Sequence, residues 1–413
     1  MLLIYNIGIR LYSFAIQVAS LFNTKARLWV TGRKHQLFIR CKDSIWFHFA
    51  SLGEFEQGRP VLEALRSSYP ENKFVITFFS PSGYEARKNT ALAHAVYYLP
   101  IDNAKNARKF IDAVQPRLAI FTKYEYWYYY FRELNTRNIP LYLISAIFSP
   151  GQIFFKWYGG LHRKMLGFVD CFFLQDKQSK QLLANICLKN TTVSGDTRFD
   201  RVWANARPPK DVPLINEFKN GHKIFIAGST WPYDEMLVAA LVMHYPDWKF
   251  IFAPHEIDEE KIKKLIDLLP KKSAARYSEI NANSAPNTDY QTLILDNIGM
   301  LSSLYQYGDI AYIGGGFGAG IHNTLEAAAF GLPVIFGPNY SKFKEARDLT
   351  VLKAGFSIHN KLELKGITDT LIADEAFYNS ASKKTRNYVE QHIGATKTIV
   401  DHLQRELSKS TVK

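Results

Sequence analysis

Two carboxylates and one arginine of this chain stand where short apolar runs give way to turns. Glu54 ends the run His-Phe-Ala-Ser-Leu-Gly-Glu, Glu125 is the centre of Lys-Tyr-Glu-Tyr-Trp, and Arg198 is the fourth residue of Gly-Asp-Thr-Arg-Phe-Asp. A carboxylate at the end of a strand can take a proton from a hydroxyl group, and an arginine can bind an anion. These residue types therefore predict general-base chemistry beside a negatively charged group.

Each of these residues also has a purely structural alternative. Ser51 and Glu54 have the spacing of a capping box, in which the carboxylate only binds backbone N–H groups. Arg198 could pair with Asp196 or Asp200 at the surface. Most of the aromatic residues that surround the second carboxylate are expected to pack at a domain interface. The spacing alone leaves both alternatives open.

The second half of the chain has the features of a phosphate site. Ser229 and Thr230 lie in Ala-Gly-Ser-Thr-Trp-Pro, where a strand is expected to end and a helix to start. Either hydroxyl can cap the helix, and Pro232 suits its first turn. Free N–H groups and hydroxyls at the start of a helix bind phosphate without a metal ion. We therefore expect a phosphate near Ser229 and Thr230.

A glycine-rich turn further along the chain is the strongest local signal. Five of the seven residues at 314–320 are glycine, and a helix is expected to begin near Asn323. The turn weakly resembles a dinucleotide-binding fingerprint, but the acidic residue expected about 20 positions later is absent, which argues against NAD. Its backbone can still approach a nucleotide phosphate closely. Glu326 either completes a capping box with Asn323 or accepts both hydroxyls of a ribose.

His255 and Glu256 follow another expected strand end. One histidine beside one glutamate, in a chain without the pattern His-Glu-x-x-His, is poor evidence for a metal site. We expect a contact with a base or a ribose, and the alternative is a solvent-exposed turn. We expect neither a metal ion nor a cofactor.

These residues follow short apolar runs that alternate with segments of helical length and period. The first half has expected strands at 45–50, 73–79, 96–99, 118–121, 140–145 and 171–174, and expected helices at 54–68, 102–113 and 176–184. The second half has expected strands at 223–227, 249–253, 292–295, 309–313 and 333–336. This alternation predicts an α/β protein with two Rossmann-like, doubly wound domains. The domains are expected to face each other across a cleft, where ligands bind at the carboxyl ends of the strands.

A proline-rich segment divides the chain. Residues 207–213 hold three prolines, which neither a helix nor a central strand tolerates, so we expect a linker there. We expect a membrane-associating helix with a basic cluster at 1–42 and a helical tail at 391–413. Between them we expect one domain at 43–208 and a second domain at 214–390. The helical pattern of the tail begins at about 378, and the Asn- and Ser-rich stretch 278–290 is expected to be a loop.

The charge of the chain is concentrated at one end. Its 413 residues carry a formal net charge of +13, and the first 42 hold seven Lys and Arg but no Asp or Glu. A nucleic-acid-binding protein would spread its charge over a binding face, so this distribution argues against that class and for a membrane surface.

Three cysteines without CxxC spacing predict neither a disulfide framework nor a zinc ribbon, and they indicate a reducing environment.

Residues 1–22 are long and apolar enough to cross a bilayer. A polar stripe follows them at helical spacing, through Asn6, Arg10, Ser13, Gln17 and Ser20. A spanning helix would place Arg10 near mid-bilayer at a cost of about 2.5–3.5 kcal/mol, which a helix in the membrane interface avoids. We favour attachment to the inner face of a membrane, where the basic residues of 25–42 meet anionic lipid. The alternative is a buried amphipathic helix of the first domain.

Six of these runs, taken in order, resemble the 3-deoxy-D-manno-octulosonic acid (Kdo) transferases of lipid A assembly. The runs are Phe-Ala-Ser-Leu-Gly-Glu, Phe-Ser-Pro-Ser-Gly, Lys-Tyr-Glu-Tyr-Trp, Gly-Asp-Thr-Arg-Phe-Asp, Gly-Ser-Thr-Trp-Pro and His-Asn-Thr-Leu-Glu-Ala-Ala. The resemblance extends from the N-terminal segment to about Arg347. It implies a GT-B glycosyltransferase that is inverting and metal-independent, with CMP-Kdo as donor and a lipid A precursor (lipid IVA) as acceptor. It also implies the cytoplasmic side of the inner membrane as location, lipopolysaccharide core assembly as process, and an acceptor-binding domain at 43–208 with a donor-binding domain at 214–390.

The resemblance also implies roles for individual residues. Glu54 matches the general base that acts on the acceptor hydroxyl, and Glu125 and Arg198 match positions that stabilise the transition state. Ser229 and Thr230 lie where the phosphate is expected. The other substrate contacts fall at His255, Glu256, Ile298, Gly299, Met300, Asn323, Thr324, Leu325 and Glu326.

Two positions depart from the pattern of that family. Arg198 stands where lysine is common, which preserves the charge, and Pro-His255-Glu256 replaces a more usual Pro-Arg-His, which changes the cytidine contacts.

Two other functions stay open from the sequence. One is a GT-B enzyme that uses a UDP-sugar for peptidoglycan or glycolipid synthesis. The other is a non-enzymatic peripheral membrane protein that binds polyanions through its basic N-terminal segment.

Overall fold

The computed structural model describes residues 1–34, 36–207, 211–281 and 289–409. The chain divides into two compact units, unit 1 with Met1–Asp200 and Ile393–Lys413, and unit 2 with Arg201–His392. Residues 208–210 of the expected linker and residues 282–288 of the expected Asn- and Ser-rich loop lie outside the described residues.

Unit 1 is an α/β unit built on one parallel sheet of seven strands. Its helices are α1 Leu2–Ala19, α2 Thr24–Lys34, α3 Leu52–Ser68, α4 Pro81–Arg87, α5 Ala104–Val114, α6 Tyr128–Thr136, α7 Gly160–Leu166, α8 Lys177–Ala184 and α9 Thr197–Asn205. Its strands are β1 Ser44–Phe49, β2 Phe74–Phe78, β3 Ala95–Tyr98, β4 Pro116–Thr122, β5 Leu141–Ala146, β6 Cys171–Leu174 and β7 Thr191–Val193. Their order in the sheet is β3-β2-β1-β4-β5-β6-β7.

The central strands of unit 1 are apolar because both faces of the sheet are covered. All six residues of β1 are buried, and alternate side chains point to opposite faces. Trp46 packs with Phe110 of α5 on one face, whereas Phe47 belongs to the core on the other face, under α3. The carboxyl ends of β1 and β4 therefore lie side by side, with the turns that carry Glu54 and Glu125 above them.

Unit 2 repeats this architecture with a second parallel sheet. Its helices are α10 Pro213–Lys219, α11 Pro232–Val242, α12 Glu259–Leu268, α13 Tyr277–Asn281, α14 Leu301–Leu304, α15 Leu325–Ala329, α16 Lys344–Val351, α17 Lys361–Ala373 and α18 Glu375–Glu390. Its strands are β8 Lys223–Thr230, β9 Trp248–Pro254, β10 Ala274–Arg276, β11 Thr292–Ile294, β12 Ile310–Ile313, β13 Val334–Phe336 and β14 Gly355–Ser357. The order is β10-β11-β9-β8-β12-β13-β14.

The last helix, α19 Ala395–Lys409, returns to unit 1. Its apolar side chains Ile399, Leu403 and Leu407 join the core under α3. Asp200 accepts hydrogen bonds from the backbone N–H groups of Gly394 and Thr396, at 2.6 and 2.8 Å, and so holds the start of the helix. The expected helical tail is therefore two helices, α18 and α19, that belong to different units.

Helix α1 packs on unit 1 through its polar stripe and exposes its apolar face. Among its residues only Ser13 is buried, and Asn6 accepts a hydrogen bond from the hydroxyl of Tyr129 at 2.8 Å. The exposed side chains include Leu3, Ile4, Ile7, Leu11, Phe14 and Val18. By length and composition α1 could cross a membrane. The alternative of a buried helix is wrong, because the apolar side chains point away from the protein core.

The predicted fold class of two parallel-sheet α/β units is confirmed. The strands predicted from the sequence are all present, with ends shifted by a few residues. The strands β7, β10 and β14 were not predicted. Each is a three-residue strand at the edge of its sheet, with the sequence Thr-Thr-Val, Ala-Ala-Arg or Gly-Phe-Ser. These residues do not form an apolar run, unlike those of the equally short β11 and β13.

Candidate functional site

Glu54 lies in the first turn of α3, directly after β1. Ser51 caps this helix by accepting a hydrogen bond from the N–H of Gly53 at 3.2 Å. The Ser51 hydroxyl also donates to the carboxylate of Glu54. The capping box expected from the spacing is therefore wrong in detail. The carboxylate is bound by the capping side chain and is only partly buried, so it stays within reach of a ligand.

Glu125 lies in the turn between β4 and α6, and its side chain is 12% exposed. Its Oε2 atom is 2.9 Å from Nε2 of His48, a fully buried residue of β1. The indole Nε1 of Trp127 donates to the same oxygen at 2.8 Å. Trp127 in turn stacks on Phe79, with ring centroids 4.9 Å apart. The carboxylate is thus held by two ring nitrogens at the carboxyl ends of β1 and β4.

Arg198 is directed by a neighbouring carboxylate. Asp196 is buried and accepts hydrogen bonds from Nε and Nη2 of Arg198, both at 2.8 Å. It also accepts a hydrogen bond from the amide of Gln57 in α3, at 2.7 Å. The alternative of a pair with Asp196 is therefore present. The pair leaves the Arg198 side chain 32% exposed, so it fixes the direction of this side chain without removing it from solvent.

Tyr124 shows that these groups share one electrostatic environment. Burial raises the pKa of its hydroxyl, the negative charge of Glu54 raises this pKa further, and the charge of Arg198 lowers it. Helix α1 also reaches the site, because Tyr12 stacks on Phe79 with ring centroids 6.1 Å apart, and Phe79 stacks on Trp127. Glu54, Glu125 and Arg198 therefore lie at one edge of the unit 1 sheet, lined by aromatic side chains.

In unit 2, the turn after β8 differs from the expected helix cap. Helix α11 is capped at Trp231, and neither Ser229 nor Thr230 occupies that position. Asp234, itself buried, accepts hydrogen bonds from the N–H groups of Trp231 and Gly315, both at 2.9 Å. The Thr230 hydroxyl donates to Glu235 at 3.1 Å. The expectation that a hydroxyl caps this helix is wrong, because Asp234 provides the acceptor from within the first turn.

The glycine-rich turn lies directly on the end of β8. The N–H of Gly314 donates to the carbonyl of Gly228 at 2.9 Å, and a side chain at Gly314 would collide with the backbone of Ser229. A cavity of about 590 Å³ opens beside this turn. Its lining is mostly glycine backbone and aromatic rings, with Trp231, Tyr233, Phe317 and His322 among them.

His255 lies at the rim of this region in a stack of three rings. Its ring centroid is 4.9 Å from that of Trp231 and 4.2 Å from that of His322. Trp231 Nε1 donates to His322 Nε2 at 3.1 Å. Burial lowers the pKa of His322, and so does the nearby His255. The stack keeps the His322 imidazole neutral and presents flat ring faces to a ligand.

The other expected contacts of unit 2 fall into two groups. Glu256 is exposed and forms an ion pair with Lys261, and Ile298 is 91% exposed. Thr324 is fully buried at the start of α15, whereas Asn323 donates from its side-chain amide to Glu326 at 3.0 Å. The remaining positions are Gly299 with a φ of +94°, Met300 at the start of α14, and the buried Leu325.

Three positions near these residues are not singled out from the sequence: His48, Asp234 and His322. A histidine inside an otherwise apolar strand was a usable signal for His48, because such a residue needs a polar partner. An acidic residue two places after Pro232 was a usable signal for Asp234. His322 gives no signal, since its partners Trp231 and His255 are distant in sequence. Trp127 is one of the aromatic residues noted around the second carboxylate, and its hydrogen bond to Glu125 spans only two residues.

The chain is similar to known proteins along most of its length. Residues 23–201 match the family model of the 3-deoxy-D-manno-octulosonic-acid transferases (kdotransferases). The 3-deoxy-D-manno-octulosonic acid transferase of Haemophilus influenzae is 28% identical over 386 residues, covering 89% of this chain and 88% of the relative. That of Aquifex aeolicus is 27% identical over 331 residues, covering 78% of this chain and 84% of the relative.

Solved structures establish the fold independently. UDP-GlcNAc 2-epimerase from Neisseria meningitidis, bound to UDP-GlcNAc, has a TM-score of 0.62 at 15% identity and covers 88% of this chain and 100% of its own. At that identity the likeness concerns the fold alone, which is of the GT-B class. Together with the family match of residues 23–201 and the relatives, it identifies the chain as a glycosyltransferase that is similar to the 3-deoxy-D-manno-octulosonic acid transferases.

Proposed function

We propose that this chain transfers Kdo from CMP-Kdo to a lipid A precursor, by an inverting mechanism without a metal ion. The observation that carries the proposal is that Glu54 and Arg198 lie together at one edge of unit 1: Gln57, on the same helix as Glu54, donates to Asp196 at 2.7 Å, and Asp196 binds Arg198 at 2.8 Å. This grouping combines a partly buried carboxylate, which can act as a base, with a partly exposed guanidinium, which can bind an anion. The residue types match the needs of transfer from an anionic donor.

Glu54 removes the proton from the acceptor hydroxyl in this proposal. The oxygen then forms a bond to the anomeric carbon of Kdo, the bond from that carbon to the phosphate oxygen breaks, and CMP leaves with the electron pair. The Ser51 hydroxyl donates to Glu54 and so limits its rotation before the proton is taken. Glu125 and Arg198 stabilise the charges that develop during the displacement.

Unit 2 binds CMP-Kdo in this proposal. The glycine-rich turn and the end of β8, with Ser229 and Thr230, allow close approach of the phosphate. His255, Glu256, the segment 298–300 and the segment 323–326 contact the cytidine. Exposure of Ile298 and Glu256 is consistent with contacts that a ligand completes. Their pattern differs from the common one in the family at His255 and Glu256, so we expect the base contacts to differ there.

The acceptor side is proposed to lie at the cytoplasmic face of the inner membrane. The exposed apolar face of α1 supports this location, since such a surface favours a lipid interface. Two cavities between α1, α2 and α5, of about 550 and 280 Å³, share Gln17 as a lining residue. Arg10, Lys105, Lys34 and Lys109 line them, and these cations suit the phosphates of an anionic lipid.

The central experiment is a transfer assay on the purified full chain. The protein is incubated with CMP-Kdo and a tetraacyl lipid A precursor, and the product mass is measured. We expect an increase that corresponds to added Kdo. Protection against thermal unfolding by UDP but not by CMP, together with no change in product mass, would contradict the proposal and favour a UDP-sugar enzyme.

Substitution of the proposed base tests the mechanism. We expect Glu54→Gln to lower transfer by about 10²–10⁴-fold while CMP-Kdo binding, measured by calorimetry, stays nearly unchanged. Glu63→Gln is the matched control, because Glu63 lies on the same helix and, in the described part of the chain, its carboxylate forms only a surface ion pair with Arg59. Transfer near the wild-type rate by Glu54→Gln would show that Glu54 is not the base.

A further inference from the structure

A chain of hydrogen bonds connects the interior of unit 1 to Glu125. Trp46 Nε1 donates to Thr77 Oγ1 at 2.8 Å, and Thr77 Oγ1 lies 2.8 Å from Nδ1 of His48. His48 Nε2 lies 2.9 Å from Glu125 Oε2. Trp46, Thr77 and His48 are all fully buried, on the adjacent strands β1 and β2. This series of hydrogen bonds therefore has a fixed geometry, and the protons of Thr77 and His48 have few possible positions.

The proton of Thr77 decides the state of His48. An indole nitrogen can only donate, so Thr77 accepts from Trp46 and has one proton of its own to give. Its two possible acceptors are His48 Nδ1 at 2.8 Å and the carbonyl of Phe47 at 3.3 Å. The longer separation lies outside the usual range for a hydroxyl donor. Thr77 thus donates to Nδ1, which leaves Nε2 of His48 to carry the ring proton.

The same reasoning distinguishes the two oxygens of Glu125. Oε2 receives the N–H of His48 and the N–H of Trp127, at 2.9 and 2.8 Å. Two donors use the acceptor capacity of this oxygen, so a proton on it would displace one of them. A proton or a substrate group that binds the Glu125 carboxyl must therefore bind at Oε1.

We propose that His48 is a positioning residue, held by Thr77 as the Nε2–H tautomer, which with Trp127 fixes Glu125 so that Oε1 alone meets the substrate. The inference rests on the proposed function only in the role of Glu125. The tautomer and the hydrogen-bond chain are properties of unit 1 itself.

The tautomer can be measured without any activity. Full-length protein carrying ¹⁵N-labelled histidine is studied by NMR, and the signals of His48 are assigned by their loss in His48→Gln. We expect a protonated Nε2 and an unprotonated Nδ1, and we expect Thr77→Val to shift the Nδ1 signal, because that nitrogen loses its hydrogen-bond donor. An Nδ1–H tautomer, or a doubly protonated ring, in the wild-type protein overturns the proposal.

Steady-state kinetics test the positioning role. We expect Thr77→Val to lower kcat about tenfold, the loss of one hydrogen bond, with little change in the KM for CMP-Kdo. Thr77→Ser restores the hydroxyl and should restore kcat. The matched control is Thr122→Val in β4, because Thr122 is equally buried and, within the described residues, its hydroxyl has no hydrogen-bond partner.

The outcomes separate this inference from the proposed function. Unchanged kcat in Thr77→Val, with an active wild-type enzyme, overturns the positioning role. Absence of transfer by the wild-type protein overturns the proposed function, whereas the NMR result then still decides the tautomer.

Discussion

Asp196 governs the direction of Arg198 at the scale of single residues. Its two oxygens accept hydrogen bonds from the backbone N–H and the guanidinium of Arg198 and from the amide of Gln57. Gln57 belongs to α3, the helix that also carries Glu54. The proposed base and the proposed anion-binding group are therefore positioned by one shared set of hydrogen bonds.

This arrangement predicts how substitutions at Arg198 differ. Lysine keeps the charge but cannot reproduce the two guanidinium contacts with Asp196, so we expect Arg198→Lys to lower kcat by about tenfold. Arg198→Gln removes the charge and should lower kcat at least tenfold further. Both values come from the transfer assay. Arg198→Gln with the activity of Arg198→Lys would show that the charge of this residue does not contribute.

Short sequence runs predicted the main polar residues of the site but not the groups that hold them. Glu54 and Glu125 follow expected strand ends, and Arg198 follows a glycine turn just before the expected linker. Thr77 could not be connected with His48, since the two are 29 residues apart and meet only when β1 and β2 pair. The contact of Asp234 with Gly315 could not be predicted either, because the two residues are 81 positions apart. Its contact with Trp231 is local, and the position of Asp234 after Pro232 is the usable signal for it.

At the scale of elements, the docking of α1 depends on a buried carboxylate. Asp102 accepts a hydrogen bond from the hydroxyl of Tyr5 at 2.5 Å and others from the N–H groups of Tyr129 and Tyr130. Those two N–H groups belong to the first turn of α6, the helix that follows Glu125. Asp102 thus connects α1 with the element next to the site, and burial raises its pKa to about 6.

The raised pKa predicts a pH dependence of this docking. The folded protein binds a proton at Asp102 more tightly than the unfolded chain does, where the pKa is about 4. Stability therefore increases as the pH falls from about 6 to 4, by up to about 3 kcal/mol, relative to a variant that lacks the carboxyl. We expect the opening free energies of the Tyr129 and Tyr130 amides, from hydrogen exchange, to show this difference between wild type and Asp102→Asn.

A matched control isolates the buried group. Asp112 lies on α5 and forms a surface ion pair with Arg137, so Asp112→Asn should leave the pH dependence of those amides unchanged. Equal pH profiles for wild type and Asp102→Asn would show that the carboxyl is not desolvated in the folded protein.

At the scale of the whole molecule, the excess of basic residues and the exposed apolar face of α1 lie in the same segment, residues 1–42. The first 42 residues hold more than half of the basic excess, and α1 exposes a continuous apolar face. Removal of the whole segment is a poor test of its role, because it would also remove the buried Trp29 and Cys41 and uncover Asp102. Substitutions on the exposed face avoid this difficulty.

We expect the combined variant Leu3→Gln, Leu11→Gln and Phe14→Gln to bind anionic vesicles much more weakly than the wild type. Each large apolar side chain contributes about 1.5–3 kcal/mol when it leaves water completely. Transfer to a detergent-dispersed acceptor should persist. Vesicle sedimentation measures the binding, and Val351→Gln with Leu362→Gln, at exposed apolar positions of unit 2, is the control. Equal loss in both variants would contradict a specific role of α1.

The general architecture could be predicted from the sequence because buried parallel strands form continuous apolar runs. The sequence could not show, however, which helices belong to unit 1. The apolar positions of α19 predict a helix, but they do not indicate which sheet covers that helix. Only the contacts of Ile399 and Leu403 with the core under α3, and those of Gly394 and Thr396 with Asp200, place the helix in unit 1.

The return of α19 has a consequence for biosynthesis. Because unit 2 is inserted between the two parts of unit 1, a ribosome produces all of residues 201–392 before α19 emerges. The core under α3 stays open during that time, with the surface that Ile399, Leu403 and Leu407 later cover exposed to solvent or to chaperones. Unit 2 can complete its fold first, although its sequence comes second. The helix that carries the proposed base Glu54 therefore gains this packing partner only after residues 201–392 have been synthesised.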